Sequence, residues 1–174
     1  KEAAKRVQEL APELPETHLA LGYVAYAQRK FEKALEHFMK AETLRPSGEA
    51  AQAIGFTLRR LGRWQDALYY GEKSRQLLPR SANVYTDGLG YTKSLLRLFD
   101  EAERDADHAI RLSPDLADAY LSKIQVLINN GEISKAKQTF HEMSRQIEIA
   151  NYAEIGLTQG ITGWYAGSTY RLIP

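Results

Sequence analysis

Apolar and polar residues follow one another along this chain with the period of a helix, and short polar turns interrupt them at regular intervals. From Leu21 the stretch LGYVAYAQRKFEKALEHFMKAETLRP carries two helical patterns, parted by Gln28, Arg29 and Lys30 and stopped by Pro46. Leu21, Gly22 and Ala25 share one face of the first pattern, and Phe31, Ala34, Phe38 and Ala41 keep the three-and-four spacing of the second. Proline ends such a helix because it lacks an N–H and clashes with the preceding turn. The stretch IGFTLRRLGRWQDALYYGEKSRQLLP, from Ile54 to Pro79, repeats the outline. Helices this short are marginal alone, so their stability must come from stacking on neighbours.

Landmarks along the chain move together. Pro12, Pro46, Pro79 and Pro114 are spaced by 34, 33 and 35 residues, and Ala34, Ala67, Ala102 and Ala136 by 33, 35 and 34. Gly22, Gly55 and Gly90 each lie 12 residues before the first three of those alanines. A period in this range marks an array of helix pairs. The small residues let the two backbones of a pair approach closely while large neighbours interlock around the contact.

This pattern resembles the tetratricopeptide repeat, a 34-residue helix–turn–helix unit. The first unit matches it with Leu21, Gly22, Ala34, Phe38, Ala41 and Pro46. Further units match with Ile54, Gly55, Leu58, Ala67 and Pro79, with Leu89, Gly90, Phe99, Ala102, Ala109 and Pro114, and with Tyr120, Leu127, Gly131, Ala136 and Phe140. Gly71 departs from it where a large apolar residue is usual, and Lys123 and Ile124 depart where leucine and glycine are. The resemblance implies an all-α fold, a right-handed superhelical α-solenoid with a short non-helical C-terminal tail. It divides the chain into a truncated helix B at 1–14, repeats at 15–47, 48–82 and 83–116, a degenerate repeat at 117–150, and an extended tail or start of another domain at 151–174.

Composition narrows the chemistry. Hydrophobic residues make up 44% and charged residues 26% of the 174, with a formal net charge of +1. Bulk charge therefore gives no pull toward nucleic acid or an anionic membrane. Cysteine is absent, which removes disulfides and thiol catalysis. No apolar run is long enough to cross a membrane as a helix. The chain opens at Lys1 and reads as a fragment of a longer protein, cytoplasmic or periplasmic. His18, His37, His108 and His141 show no metal-ligand spacing; His18 falls where the repeat usually packs a bulky side chain, and His141 reads as solvated. The acidic run Asp100, Glu101, Glu103, Asp105 and Asp107 reads as a solvated helix face near the positive end of a helix dipole. No catalytic motif, metal site or cofactor site stands out, so no enzyme is expected.

The resemblance implies that helix A lines a concave groove through unit positions 2, 5, 9, 12 and 13. Those positions hold Leu19, Gln52 and Asp87; Tyr23, Phe56, Tyr91 and Gln125; Tyr26 and Arg59; and Arg60. Tyrosine, phenylalanine and arginine dominate binding energy when a partner desolvates them, though the same ladder can pack between adjacent A helices. The expected function is a scaffold holding a protein or peptide segment. Leu19, Tyr23, Gln52, Phe56 and Asp87 do not supply the basic clamp with which some members bind chaperone C-termini. A second expectation is a periplasmic scaffold beside an outer-membrane barrel of the polysaccharide-export or phage-receptor type, with glycan stacking in the groove. It comes from the aromatic, alternating stretch around Trp164, Tyr170 and Leu172. A third is a spacer that pairs with a second copy of itself.

Overall fold

The computed structural model describes residues 13–147. Among them are eight α-helices and one π-helical segment. The helices are α1 (Pro15–Ala27), α2 (Phe31–Leu44), α3 (Gly48–Arg60), α4 (Trp64–Leu77), α5 (Tyr91–Leu95), α6 (Phe99–Leu112), α7 (Ala117–Asn129) and α8 (Ile133–Gln146). The π segment, Val84–Gly90, runs directly into α5, and the two together form one A helix. Helices alternate between an A layer (α1, α3, π–α5, α7) and a B layer (α2, α4, α6, α8). This is an all-α solenoid, as the period implies. The expected tail at 151–174, and residues 1–12 of the truncated helix expected at 1–14, lie outside the described residues.

Local chemistry sets the element ends. Pro15 opens α1, where a missing N–H costs nothing and φ is already helical. Ser47 caps α3, its side chain accepting the Ala50 N–H at 3.1 Å. The proline carbonyls that close two B helices are themselves bonded. The Tyr85 hydroxyl donates to Pro79 O at 2.9 Å, and the Tyr120 hydroxyl donates to Pro114 O at 3.1 Å. Each tyrosine lies six residues after its proline, so the device recurs with the repeat.

The core follows the small-residue logic. Ala34, Ala67, Ala102 and Ala136 are all buried, and each sits where a B helix meets its A helix. At Gly22 an added Cβ would stand 2.4 Å from the Phe38 ring, so the glycine is what lets α1 lie on α2. Gly71 replaces the large residue usual at its position, and the space is filled from the next unit. A Cβ there would be 3.0 Å from Leu89 Cδ2. Phe38, Ile54 and Leu58 fill the first cluster, Val84, Leu89 and Ala109 the second, and Ile124, Leu127 and Ala136 the third.

Ion pairs stitch successive repeats. Glu42 accepts the Ser47 N–H at 3.1 Å through Oε2, and its Oε1 meets Lys73 Nζ at 2.6 Å, which holds the Lys73 pKa above its ordinary value. Lys93, with 7% of its side chain exposed, sits among Asp105 at 2.6 Å, Glu72 at 3.2 Å and Glu101 at 3.6 Å. This corrects in part the reading of the acidic run as a solvated face: Asp100 and Glu101 are exposed, whereas Asp105 is largely buried. Asp105 and Glu101 turn toward Lys93, and Asp107 pairs with Lys123 at 2.7 Å, because α6 packs against A helices that each present a lysine.

Candidate functional site

The A-layer surface is built from α1, α3 and the π–α5 helix. Stacked A helices place residues about one repeat apart side by side, and two rungs of the ladder read from the sequence, Phe56 and Tyr91, meet around one side chain. That side chain, Arg59, is the centre of the surface. The guanidinium carbon lies 4.9 Å from the Phe56 ring centroid and 4.8 Å from that of Tyr91, so the cation is held between two aromatic rings from successive A helices. Arg59 Nη1 also donates to the Asp87 carbonyl at 2.6 Å.

That carbonyl lies in the π segment, and the reason is a one-residue excess. Pro79 to Gly90 spans eleven residues of sequence, whereas Pro12 to Gly22 spans ten. A helix absorbs an inserted residue as a wide turn, in which a backbone N–H reaches back five residues instead of four. Here the Tyr91 N–H bonds to the Thr86 carbonyl, and the next carbonyl, that of Asp87, meets Arg59. The wide turn keeps Gly90 and Ala102 in register and gives Arg59 an anchor on the neighbouring helix.

Two smaller groups flank this centre. The Arg60 Nε donates to the Tyr26 hydroxyl at 3.1 Å, and the Tyr26 ring meets Phe31 edge-on at 5.4 Å. Tyr23, 45% exposed, rests edge-on against Phe38 at 5.1 Å and donates its phenol to Glu49 Oε1 at 3.3 Å. Partial burial, then the Glu49 charge, pushes the Tyr23 pKa up to about 12. The phenol is thus a hydrogen-bond donor throughout the physiological range.

The remaining expected residues divide. Gln52 is half-buried, with Nε2 at 3.5 Å from the Asn83 carbonyl, beside the π segment. The Asp87 side chain is exposed. Leu19 is turned onto the first core cluster, and Tyr26 also packs against it. Gln125 stands apart from the stack: it donates to Asn129 Oδ1 at 2.8 Å, and Asn129 in turn donates to Ser94 Oγ at 2.9 Å. Glu49 and Asn83 belong to this surface and carried no sequence signal, since each acts only on a neighbour one repeat away.

Comparison with known proteins agrees with this architecture. A family profile described as tetratricopeptide repeat matches residues 15–47. The protein O-mannosyl-transferase TMTC3 of Mus musculus is 25% identical over 135 residues, covering 69% of this chain and 15% of its own length. The chain thus spans only a small part of the curated relatives it matches. Among solved structures, MamA 41-end from Desulfovibrio magneticus RS-1 superposes with a TM-score of 0.75 at 19% identity, covering 86% of each chain. YrrB, described as a TPR protein with an unusual peptide-binding site, superposes with a TM-score of 0.70 at 16% identity, covering 90% of this chain and 80% of its own. At these identities the structural likeness is one of fold. Among the described residues, no helix is long and apolar enough to cross a membrane.

Proposed function

We propose that this chain, which belongs to the tetratricopeptide-repeat family, is a non-enzymatic scaffold that holds a protein or peptide segment along its A-layer groove. The fold is that of a protein-interaction scaffold; the groove and its residues are our assignment. One observation carries it: the Arg59 guanidinium clasped between Phe56 and Tyr91. Stacking a cation between rings fixes three side chains in advance, so a partner laid across them loses less entropy than one that must order them. Tyr23 and Glu49 offer a phenol and a carboxylate beside that stack, suited to backbone or side-chain polar groups of an extended segment. What the site offers is stacking and hydrogen bonding. The peptide-binding site named for YrrB makes a peptide ligand the natural class to test. We assign the repeats to 15–47, 48–82, 83–116 and 117–150. The groove residues are Leu19, Tyr23, Tyr26, Gln52, Phe56, Arg59, Arg60, Asp87, Tyr91 and Gln125, with the weight on Tyr23, Phe56, Arg59 and Tyr91.

The test is a selection from a displayed peptide library on the wild-type chain and on its Tyr23→Ala/Phe56→Ala/Tyr91→Ala variant, both shown folded by circular dichroism. Peptides enriched by the first and lost by the second support the groove. Peptides enriched equally by both, or none enriched by either, sink it.

A further inference from the structure

Where α2 meets the turn between α3 and α4, the B layer holds an open cleft of about 480 Å³, and none of the groove residues lines it. Ligand pockets run from about 300 to 1,000 Å³, so a partner's side chains fit. Glu32, Leu35, Glu36 and Met39 are spaced by three and four along α2 and form one stripe of that helix, with Leu61 and Arg63 of the turn opposite. Leu35 and Leu61 are half-buried. Met39 is 39% exposed, and its Sδ accepts the Tyr70 hydroxyl at 3.3 Å, which ties the thioether to α4.

The next two repeats use the same place differently. Met39, Glu72 and Asp107 each lie five residues after the buried alanine of their B helix. Glu72 meets Lys93 at 3.2 Å and Asp107 meets Lys123 at 2.7 Å, so both are closed by an ion pair to an A helix. In the first repeat a thioether stands in place of the carboxylate, and the floor stays apolar and open.

The rim above that floor is acidic. Glu32 and Glu36 are exposed one turn apart on α2, a spacing at which like charges repel. The cations around them are engaged elsewhere. Arg63 gives Nε at 2.9 Å and Nη2 at 2.7 Å to Asp66, Lys40 reaches Glu13 at 3.7 Å, and Lys33 lies off the stripe. Two carboxylates over an apolar floor match a side chain with a long aliphatic stem and a cationic end. Arginine suits them better than lysine, because its planar fork gives a carboxylate two parallel hydrogen bonds. Methionine is the residue that adapts its shape to such a stem.

We propose that this cleft is a second docking site, outside the groove, for a protein segment that presents an arginine flanked by apolar residues. The stem and its apolar neighbours lie on Leu35, Met39 and Leu61, and the guanidinium is held by Glu32 and Glu36. Because both carboxylates are exposed, the contact weakens as salt rises.

The two methionines of the chain report on it. Met39 lines the cleft, whereas Met143 is buried in α8. Isotope labelling of the methionine methyl groups gives one NMR signal for each, assigned with Met39→Leu. The probe is the blocked peptide acetyl-Gly-Leu-Arg-Leu-Gly-amide, titrated at low salt. It should move the Met39 signal saturably and leave Met143 in place. Glu32→Gln/Glu36→Gln should weaken binding about fivefold or more, and glutamate in place of the peptide's arginine should abolish it. The Tyr23→Ala/Phe56→Ala/Tyr91→Ala variant should bind as the wild type does, so this site stands or falls apart from the groove. No saturable Met39 shift with the arginine peptide overturns the proposal. So does equal affinity in the glutamine variant or for the glutamate peptide, since the cleft is then an apolar dent without charge recognition. Binding lost in the triple variant overturns it too, by placing the peptide in the groove.

Discussion

Each of the four turns from an A helix to its B helix holds one residue in the left-handed region at the same place in the repeat. Arg29 and Arg97 have φ of 60°, Gly62 has 74° and Gly131 has 81°. Glycine adopts this conformation freely, whereas an L side chain there costs about 1–2 kcal/mol. Arg29→Gly should therefore stabilise the chain by about 0.5–1 kcal/mol, after allowing for the greater freedom glycine has when unfolded. Arg97→Gly should gain less, because the Arg97 guanidinium lies 5.7 Å over the Phe99 ring and that contact is lost. Urea denaturation of the two variants measures both; a loss of stability at Arg29 would show that the turn is held by something other than its φ. At this scale the sequence was legible in part. The polar break at Gln28, Arg29 and Lys30 marks a turn, and Gly131 fits it. That two arginines bend the way two glycines do is invisible to propensity, since the rest of the repeat imposes it.

At the scale of the element, the helix pairs and their stops were legible because proline, alanine and glycine act locally and recur. The π segment was not. The spacing of 35 residues reports one extra residue but not where the chain absorbs it. Gly90 shows the constraint: an added Cβ would lie 2.7 Å from the Tyr85 carbonyl oxygen and 3.2 Å from Ser122 Oγ. At Gly55 the nearest atom, the Ala67 carbonyl oxygen, is 3.4 Å away. Gly90→Ala should thus destabilise by about 1–3 kcal/mol and Gly55→Ala by clearly less, and equal costs in denaturant melts would contradict the geometry. The Lys93 cluster was hidden for a different reason, because its carboxylates come from α4 and α6 and only packing assembles them. Burial alone would pull the Lys93 pKa down; the hydrogen bond and charge of Asp105, then those of Glu72, outweigh it and hold it above its ordinary value. That contribution is complete below the ordinary lysine pKa and is lost as pH rises through the folded one. Lys93→Met leaves Glu72, Glu101 and Asp105 without their shared cation and should cost about 3 kcal/mol at neutral pH. Glu72 is held below the usual carboxylate range in the wild type: burial opposes this, and Arg75 and then Lys93 outweigh it. Wild-type stability from Glu72 is therefore lost as pH falls through that lowered value. In the variant the crowded carboxylates take up protons sooner and are relieved by them. The stability gap between wild type and variant should narrow from neutral pH toward the ordinary glutamate pKa, and a constant gap in denaturation midpoints would show that packing, not charge, sets the loss.

Over the whole molecule, the nearness of Phe56 and Tyr91, with ring centroids 4.9 and 4.8 Å from the Arg59 guanidinium carbon, was legible because one position per repeat maps onto one row of the solenoid. What the row does with Arg59 was not, since the guanidinium is shared between two helices and tied to a carbonyl that exists only in the wide turn. The assembled surface argues against one class of ligand. Where a related fold would present lysine and asparagine to a C-terminal carboxylate, this row presents Leu19 turned to the core, Tyr23 bonded to Glu49, Gln52, and Phe56 against Arg59. Glu49 and Asp87 are exposed along the same row and repel an acidic chain. The Arg59 guanidinium carbon lies 4.9 and 4.8 Å from the Phe56 and Tyr91 ring centroids and Nη1 donates to backbone, so a carboxylate would have to compete with contacts already made. An acidic peptide ending in an EEVD-type carboxylate should therefore show no saturable binding by calorimetry or fluorescence anisotropy at low salt, where attraction between charges is strongest. Tight binding of that peptide, abolished by Arg59→Ala or Arg60→Ala, would mean that the arginines leave their present contacts for a ligand, and the aromatic ladder would be packing between helices instead of a surface for partners.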